Sequence, residues 1–160
     1  MTLNDSVDQV LKAKPRNVWS ISPDESVYGA IREMAEKQVG ALLVLSDGKL
    51  VGIISERDYA RKVILMRRSS KDTRVKEIMT SPVVCVTPAQ TLDECMALMT
   101  DHRIRHLPVV SGEQIIGVLS IGDAVKWIIS AQEQTIRHLE HYITGTPPEL
   151  VMTRPGRRLD

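Results

Sequence analysis

The hydrophobic positions change period along the chain, and the order of changes occurs twice. Short apolar stretches at 18–21 and 83–86 have strand character. A Ser/Thr-Pro turn follows each, and then apolar residues at helical spacing. Val27, Ala30, Ile31, Met34 and Ala35 share one helix face in the first copy; Leu92, Cys95, Met96 and Met99 do so in the second. Ser26 and Thr91 stand where a side-chain oxygen can accept an orphan backbone N–H, and Thr91 with Glu94 has capping-box spacing. Two apolar runs then predict a hairpin in each copy, 41–45 with 50–54 and 107–110 with 115–119. Their connections, Ser46-Asp47-Gly48-Lys49 and Ser111-Gly112-Glu113-Gln114, have turn chemistry. A closing helix starts near Glu56 in one copy and near Ile121 in the other, the latter running to about Tyr142. The order is β-α-β-β-α, twice.

Placing Pro23 over Pro88 sets an offset of 65 residues, and it needs no gap from Val18 to Arg61. The same offset puts Leu42 on Leu107, Val44 on Val109, Gly52 on Gly117, Ser55 on Ser120 and Asp58 on Asp123. The lead-in Val7-Asp8-Gln9-Val10-Leu11 resembles Val75-Lys76-Glu77-Ile78-Met79, with three extra residues in the first connection. The expected organisation is a first repeat over 5–66, a polar, exposed linker over 67–74, a second repeat with an extended last helix over 75–143, and a tail over 144–160 rich in Pro, Gly and Arg. One copy of about 60 residues buries little surface alone, so the two are expected to pack together.

Composition narrows the function. Hydrophobic residues make up 42% and charged residues 26% of 160, which suits a folded core. Aromatics are 3% with no Phe, so that core is aliphatic. A net charge of +1 and no aromatic runs argue against nucleic-acid binding, and no apolar run approaches the roughly 20 residues of a membrane span. The N-terminus has no continuous apolar stretch of the signal-peptide kind. Cys85 and Cys95 read as small buried hydrophobes in a reducing, cytoplasmic setting. No P-loop, GxGxxG, CxxC or HExxH pattern occurs, and nothing sets Ser, His and Asp as nucleophile, base and orienter. The pairs His138 with His141 and His102 with His106 lack a third metal ligand.

The stretches Gly52-Ile53-Ile54-Ser55-Glu56-Arg57-Asp58 and Gly117-Val118-Leu119-Ser120-Ile121-Gly122-Asp123, one offset apart, carry a Gly-apolar-x-Ser-x-x-Asp signature. With Arg103-Ile104-Arg105-His106-Leu107-Pro108-Val109-Val110, they resemble the CBS-domain family over about residues 5–143. The resemblance implies an α/β (α+β) fold, two β-α-β-β-α repeats packed with pseudo-two-fold symmetry into one pair, and two clefts that bind an adenosine nucleotide. It implies an effector such as AMP, NAD or ATP, no catalytic cofactor, a homodimer of such pairs, and a regulated protein partner that the sequence does not name. The chain resembles the stand-alone regulatory members, which are not enzymes. The alternative is an interaction or scaffold module whose clefts hold no nucleotide.

Candidate site residues follow. Asp123, after a strand and at a helix start, can take two bonds from ribose hydroxyls, or it can simply cap its helix. Ser120 can donate to a phosphate near that helix N-terminus, beside Ile121, and Gly122 lets a ligand approach the backbone. Arg105 and His106, entering a strand ahead of Leu107, are expected to meet a phosphate in the Asp123 cleft. In the family arrangement, segments 20–22 and 85–87, Ser22 and Thr87 included, are expected to line the clefts, with Ile21, Val86 or Pro108 against the base. Ser55, Arg57 and Asp58 are the candidates of the second cleft. Gly40 and Ala41 stand there where the other copy has Arg105 and His106, so the Asp123 cleft is expected to be the better mononucleotide site. Ser69, Ser70 and Lys71 are further phosphate candidates, and Trp127, Ile128, Ile129 and Ile136 form a candidate dimer stripe.

Overall fold

A computed structural model describes residues 4–15 and 17–145. Helix α1 (Val7–Lys12) opens on a capping box: the Ser6 hydroxyl accepts the Gln9 N–H, and the Gln9 side chain accepts the Ser6 N–H. The first repeat follows as β1 (Ser20–Ile21), α2 (Val27–Lys37), β2 (Ala41–Ser46), β3 (Lys49–Ser55) and α3 (Glu56–Tyr59), which runs into a π-helical turn over Ala60–Ile64. The second has α4 (Val75–Ile78), α5 (Leu92–His102), β4 (His106–Ser111), β5 (Gln114–Ser120) and α6 (Ile121–Thr144). Ser26 and Thr91 cap α2 and α5, the latter in a full capping box with Glu94. On α2 the buried stripe is Val27, Ala30 and Met34; Ala35, placed on it by spacing, is exposed.

The hairpins share one register at the repeat offset. Val44 faces Gly52 across β2 and β3, Val109 faces Gly117 across β4 and β5, and each hairpin has an irregularity at the next residue. The first strands differ. In the first repeat β1 runs parallel to β2, and the Leu43 N–H donates to the Trp19 carbonyl at 3.1 Å. The strand expected over 83–86 is reduced to a single bridge, Val86 to Val109. Pro108 is the reason: it occupies the position of Leu43 and has no N–H to give to Val84.

Packing does not follow the repeat boundaries. Val7, Val10 and Leu11 of α1 lie in the core of the second repeat with Leu92, Cys95, Leu107 and Leu119. Val75 and Ile78 of α4 lie in the core of the first with Val27, Met34, Leu42 and Ile54. The backbone records the exchange at both ends. Leu92 N–H donates to the Asp5 carbonyl and Val7 N–H to that of Gln90; Val27 N–H donates to Thr73 and Val75 N–H to Glu25, all within 2.8–2.9 Å. Each lead-in segment thus satisfies a first-turn donor of the other repeat's helix. The linker takes part, so it is not simply exposed: Thr73 is buried, its hydroxyl donating to the Ser69 carbonyl at 2.7 Å.

The exchange also explains the signature glycines. A Cβ on Gly117 would meet Leu11 methyls of α1 at 3.0 and 3.1 Å. A Cβ on Gly52 would press on the Met79 side chain, just past α4. The glycines let a foreign segment lie flat against β5 and β3. Helix α6 ends at Gly145 with φ 67°, and Trp127 on it donates to Asp5 at 2.8 Å. The expected tail beyond Gly145 lies outside the described residues.

Candidate functional site

Both signature aspartates occupy the third position of a capping box. Ser120 caps α6: its hydroxyl accepts the Asp123 N–H at 3.0 Å, and Asp123 Oδ2 accepts the Ser120 N–H at 2.9 Å. Ser55 and Asp58 repeat this at the start of α3, at 3.2 and 3.0 Å. Capping and facing a cavity are therefore compatible roles here. The box fixes the carboxylate, and the turn leaves it on the wall of a cleft.

Among the described residues two clefts are built from both repeats. The first, about 280 Å³, is lined by Asp123, Ser120 and Val118 with Lys14 against them, and by Asn17, Trp19 and Gln38 through Leu43. The second, about 660 Å³, sets Ser55, Arg57 and Asp58 against Thr80, Pro82, Val83, Val84 and residues 102–106. Gly40, Ile53, His106 and Ser120 border both cavities, so the clefts share a wall. A Cβ on Gly40 would stand 3.5 Å from His106 Cε1, so the ring packs against a bare backbone there.

The charges differ from the sequence expectation. Arg105 was expected beside Asp123; it lines the Asp58 cleft, together with Arg57, Arg61, Lys62 and Arg103. Ile121 and Gly122 also border that cleft, and a Cβ on Gly122 would touch only Ser120 Oγ, at 3.6 Å. Arg105 and His106 are consecutive at the start of β4, so their side chains leave on opposite sides. Ile21, Ser22, Val86 and Thr87 line neither cavity. The walls are formed by residues a few positions earlier, Lys14, Asn17 and Trp19 in one and Thr80, Pro82, Val83 and Val84 in the other. Leu107 and Pro108 are buried residues of β4 itself, and Leu107 belongs to the second core. Ser69, Ser70 and Lys71 border neither cavity; the Ser70 carbonyl accepts the Tyr28 N–H and Lys71 lies over the Tyr28 ring.

Each aspartate meets a lysine, but differently. Lys14 Nζ lies 2.5 Å from Asp123 Oδ2 and 2.8 Å from the Val118 carbonyl. Burial pushes the Asp123 carboxyl up, yet the Lys14 and Ser120 bonds together hold it below the usual carboxylate range. Asp58 Oδ1 lies 3.3 Å from Lys62 Nζ, which also donates to the Ile78 carbonyl at 2.8 Å, and it accepts the Thr80 hydroxyl at 3.4 Å. Burial lowers the His106 pKa, Asp123 opposes this, and Arg105 and Lys14 lower it further. A neutral imidazole on the shared wall offers one donor and one acceptor. Sequence reasoning missed Lys14, Asn17, Trp19, Arg61, Lys62, Thr80 and Arg103. The repeat offset could have suggested residues 80–84, but only knowledge of the exchange locates Lys14.

Among the described residues no three or more His, Cys, Asp or Glu side chains gather as a metal site, and no helix is long and apolar enough to cross a membrane. Both cysteines are free thiols; burial, then the Glu94 charge, pushes Cys95 up to about 11.

The model for the CBS domain matches residues 14–65 and 75–130. The chain is 40% identical over 150 residues to the mitochondrial CBS domain-containing protein CBSX3 of Arabidopsis thaliana, covering 88% of this chain and 72% of that protein. The compartment of that relative means that kinship does not fix a cytoplasmic setting. A candidate signal-transduction protein with CBS domains from Burkholderia ambifaria MC40-6 is 56% identical and superposes with a TM-score of 0.78, over 80% of this chain and 96% of that one. Inosine-5'-monophosphate dehydrogenase of Nitrosopumilus maritimus is 36% identical over 123 residues, 72% of this chain but 24% of the enzyme.

Proposed function

The chain belongs to the CBS-domain family, and from that premise we propose that it is a regulatory module binding adenosine nucleotides in its two clefts. CBS domains are regulatory modules that bind adenosine ligands, and the similarity to the dehydrogenase is confined to a quarter of that enzyme's length. The observation that carries the reading is the pair of Ser-x-x-Asp boxes, each holding a carboxylate on a cavity wall completed by the opposite repeat. A carboxylate so fixed is an acceptor for a ribose diol.

The two clefts take different ligands. The Asp58 cleft is more than twice as large, and Arg57, Arg61, Arg103 and Arg105 suit a polyphosphate such as ATP or the pyrophosphate of NAD. The narrow Asp123 cleft suits AMP. Binding matters to regulation only if it favours one arrangement of the repeats, which a partner protein then reads.

Thermal unfolding against AMP, ADP, ATP, NAD, NADH and S-adenosylmethionine tests this, repeated with Asp58→Asn and Asp123→Asn. A ligand at 100 times its Kd stabilises by about 2.7 kcal/mol. The expected result is an ATP or NAD shift lost in Asp58→Asn and an AMP shift lost in Asp123→Asn. No shift with any ligand, in protein shown to be nucleotide-free, would overturn the reading.

The interaction reading has its own support on α6, where Val125, Ile129, Ile136 and Leu139 are 45–57% exposed. A homodimer seated on this face is the simplest occupant. Sedimentation of the intact chain against Ile129→Glu checks it, and a monomeric wild type would sink it.

A further inference from the structure

One oxygen of Asp123 is already engaged, while Oδ1 remains open to a ribose hydroxyl. Its Oδ2 accepts two donors, the Ser120 N–H and Lys14 Nζ, and the lysine is held a second time by the Val118 carbonyl. Lys14 follows the cap of α1, a helix anchored in the second core, so its main chain is fixed relative to β5. Its four-carbon stem is not fixed in the same way. Lys14 is also the single Lys or Arg on the described wall of this cleft. The opposite cleft has four arginines and Lys62 on its wall; there the lysine on Asp58 comes from the same repeat, at 3.3 Å, and the lead-in segment contributes the neutral Thr80.

We infer that Lys14 makes the Asp123 cleft selective for phosphorylated adenosine over the uncharged nucleoside. A phosphate entering the cleft gives the ammonium a new anion, drawing it off Asp123 and freeing Oδ2 for a ribose hydroxyl. Adenosine offers no such exchange. To use Oδ2 as well as Oδ1 it must leave a half-buried ammonium without its carboxylate, which is costly. Adenosine is therefore held by Oδ1 alone. A cationic ligand such as S-adenosylmethionine is disfavoured by the same charge.

The inference rests on the nucleotide reading of this cleft, and calorimetric titration separates the two. The Asp58→Asn background silences the larger cleft, and AMP and adenosine are the probes. With Lys14 present, AMP binds at least about tenfold more tightly than adenosine, since a tenfold ratio corresponds to one charge-assisted bond. In Lys14→Met adenosine gains affinity and the ratio falls toward one, while Lys14→Arg keeps the preference for AMP. An unchanged ratio in Lys14→Met, with both ligands still bound, overturns the role of Lys14 and leaves the nucleotide reading standing. Binding of neither ligand to the background protein or its Lys14 variants overturns both.

Discussion

The two clefts are copies in their backbone and unlike in their charge, one balanced and the other basic. Each has a capping-box aspartate at the end of a hairpin, a lead-in segment from the other repeat, and a share of the wall carrying Gly40 and His106. Yet one is narrow with a lysine of the lead-in segment as its single described cation, and the other is wide with four arginines around an aspartate whose lysine comes from its own repeat. Duplication preserved the groups that shape the backbone, namely the caps, the turns and the close-packed glycines. It left free the side chains that choose a ligand. Pseudo-symmetry here is a property of the scaffold and not of its chemistry.

The largest test strikes the shared scaffold. Leu11→Ala empties a fully buried site where α1 meets the second core, and about 2–5 kcal/mol of stability should be lost. Met79→Ala, at the matching place but half-buried, should cost less; a midpoint in denaturant unchanged from the wild type would break the claim that the exchange matters at both ends. Next comes Arg105→Ala, which should weaken ATP by about tenfold or more and leave AMP at Asp123 nearly unaffected, by the roughly 1.5–3 kcal/mol of a charged hydrogen bond. The reverse pattern would return Arg105 to the Asp123 cleft. Gly52→Ala should destabilise by about 1–3 kcal/mol, as overpacking does, because its Cβ would stand 2.9 and 3.2 Å from Met79 Cγ and Cβ near the root of the side chain, and Gly117→Ala by less, where Leu11 methyls at 3.0 and 3.1 Å can give.

The smallest effect is a pH dependence at the shared wall. His106 has a lowered pKa in the fold, so between that value and the unfolded value of about 6.5 the unfolded chain binds more protons. Its contribution is full above about pH 6.5 and is lost as the pH falls through the folded pKa. Denaturant midpoints between pH 7.5 and 5.5 should drop further in the wild type than in His106→Gln. A steeper drop in the variant would mean that His106 is charged in the fold.

Local features were legible in the sequence because local physics makes them. Ser26, Thr91 and the two hairpin turns act within four residues, and the periodicities mark the buried stripes. What escaped was long-range. Nothing in the spacing of Val7, Val10 and Leu11 says which core they enter, so Lys14, just beyond them, could not be assigned to Asp123. The three extra residues of the first connection also leave Lys14 without a clear counterpart in the repeat. Two misplacements were avoidable in principle. Consecutive residues entering a strand diverge, which separates Arg105 from His106, and a proline in β4 cannot donate to a neighbour, which shortens the strand expected over 83–86.

The exchanged lead-in helices also set an order of events on the ribosome. The first core lacks Val75 and Ile78 until the chain has grown past them, so the first repeat cannot close when its own last residue emerges. Val7, Val10 and Leu11 must wait longer, unburied, for α5 and β5 to be made. Synthesis therefore completes the first core only after α4 has followed the repeat it closes. The second core comes later, when Val7, Val10 and Leu11 meet residues made about a hundred positions after them.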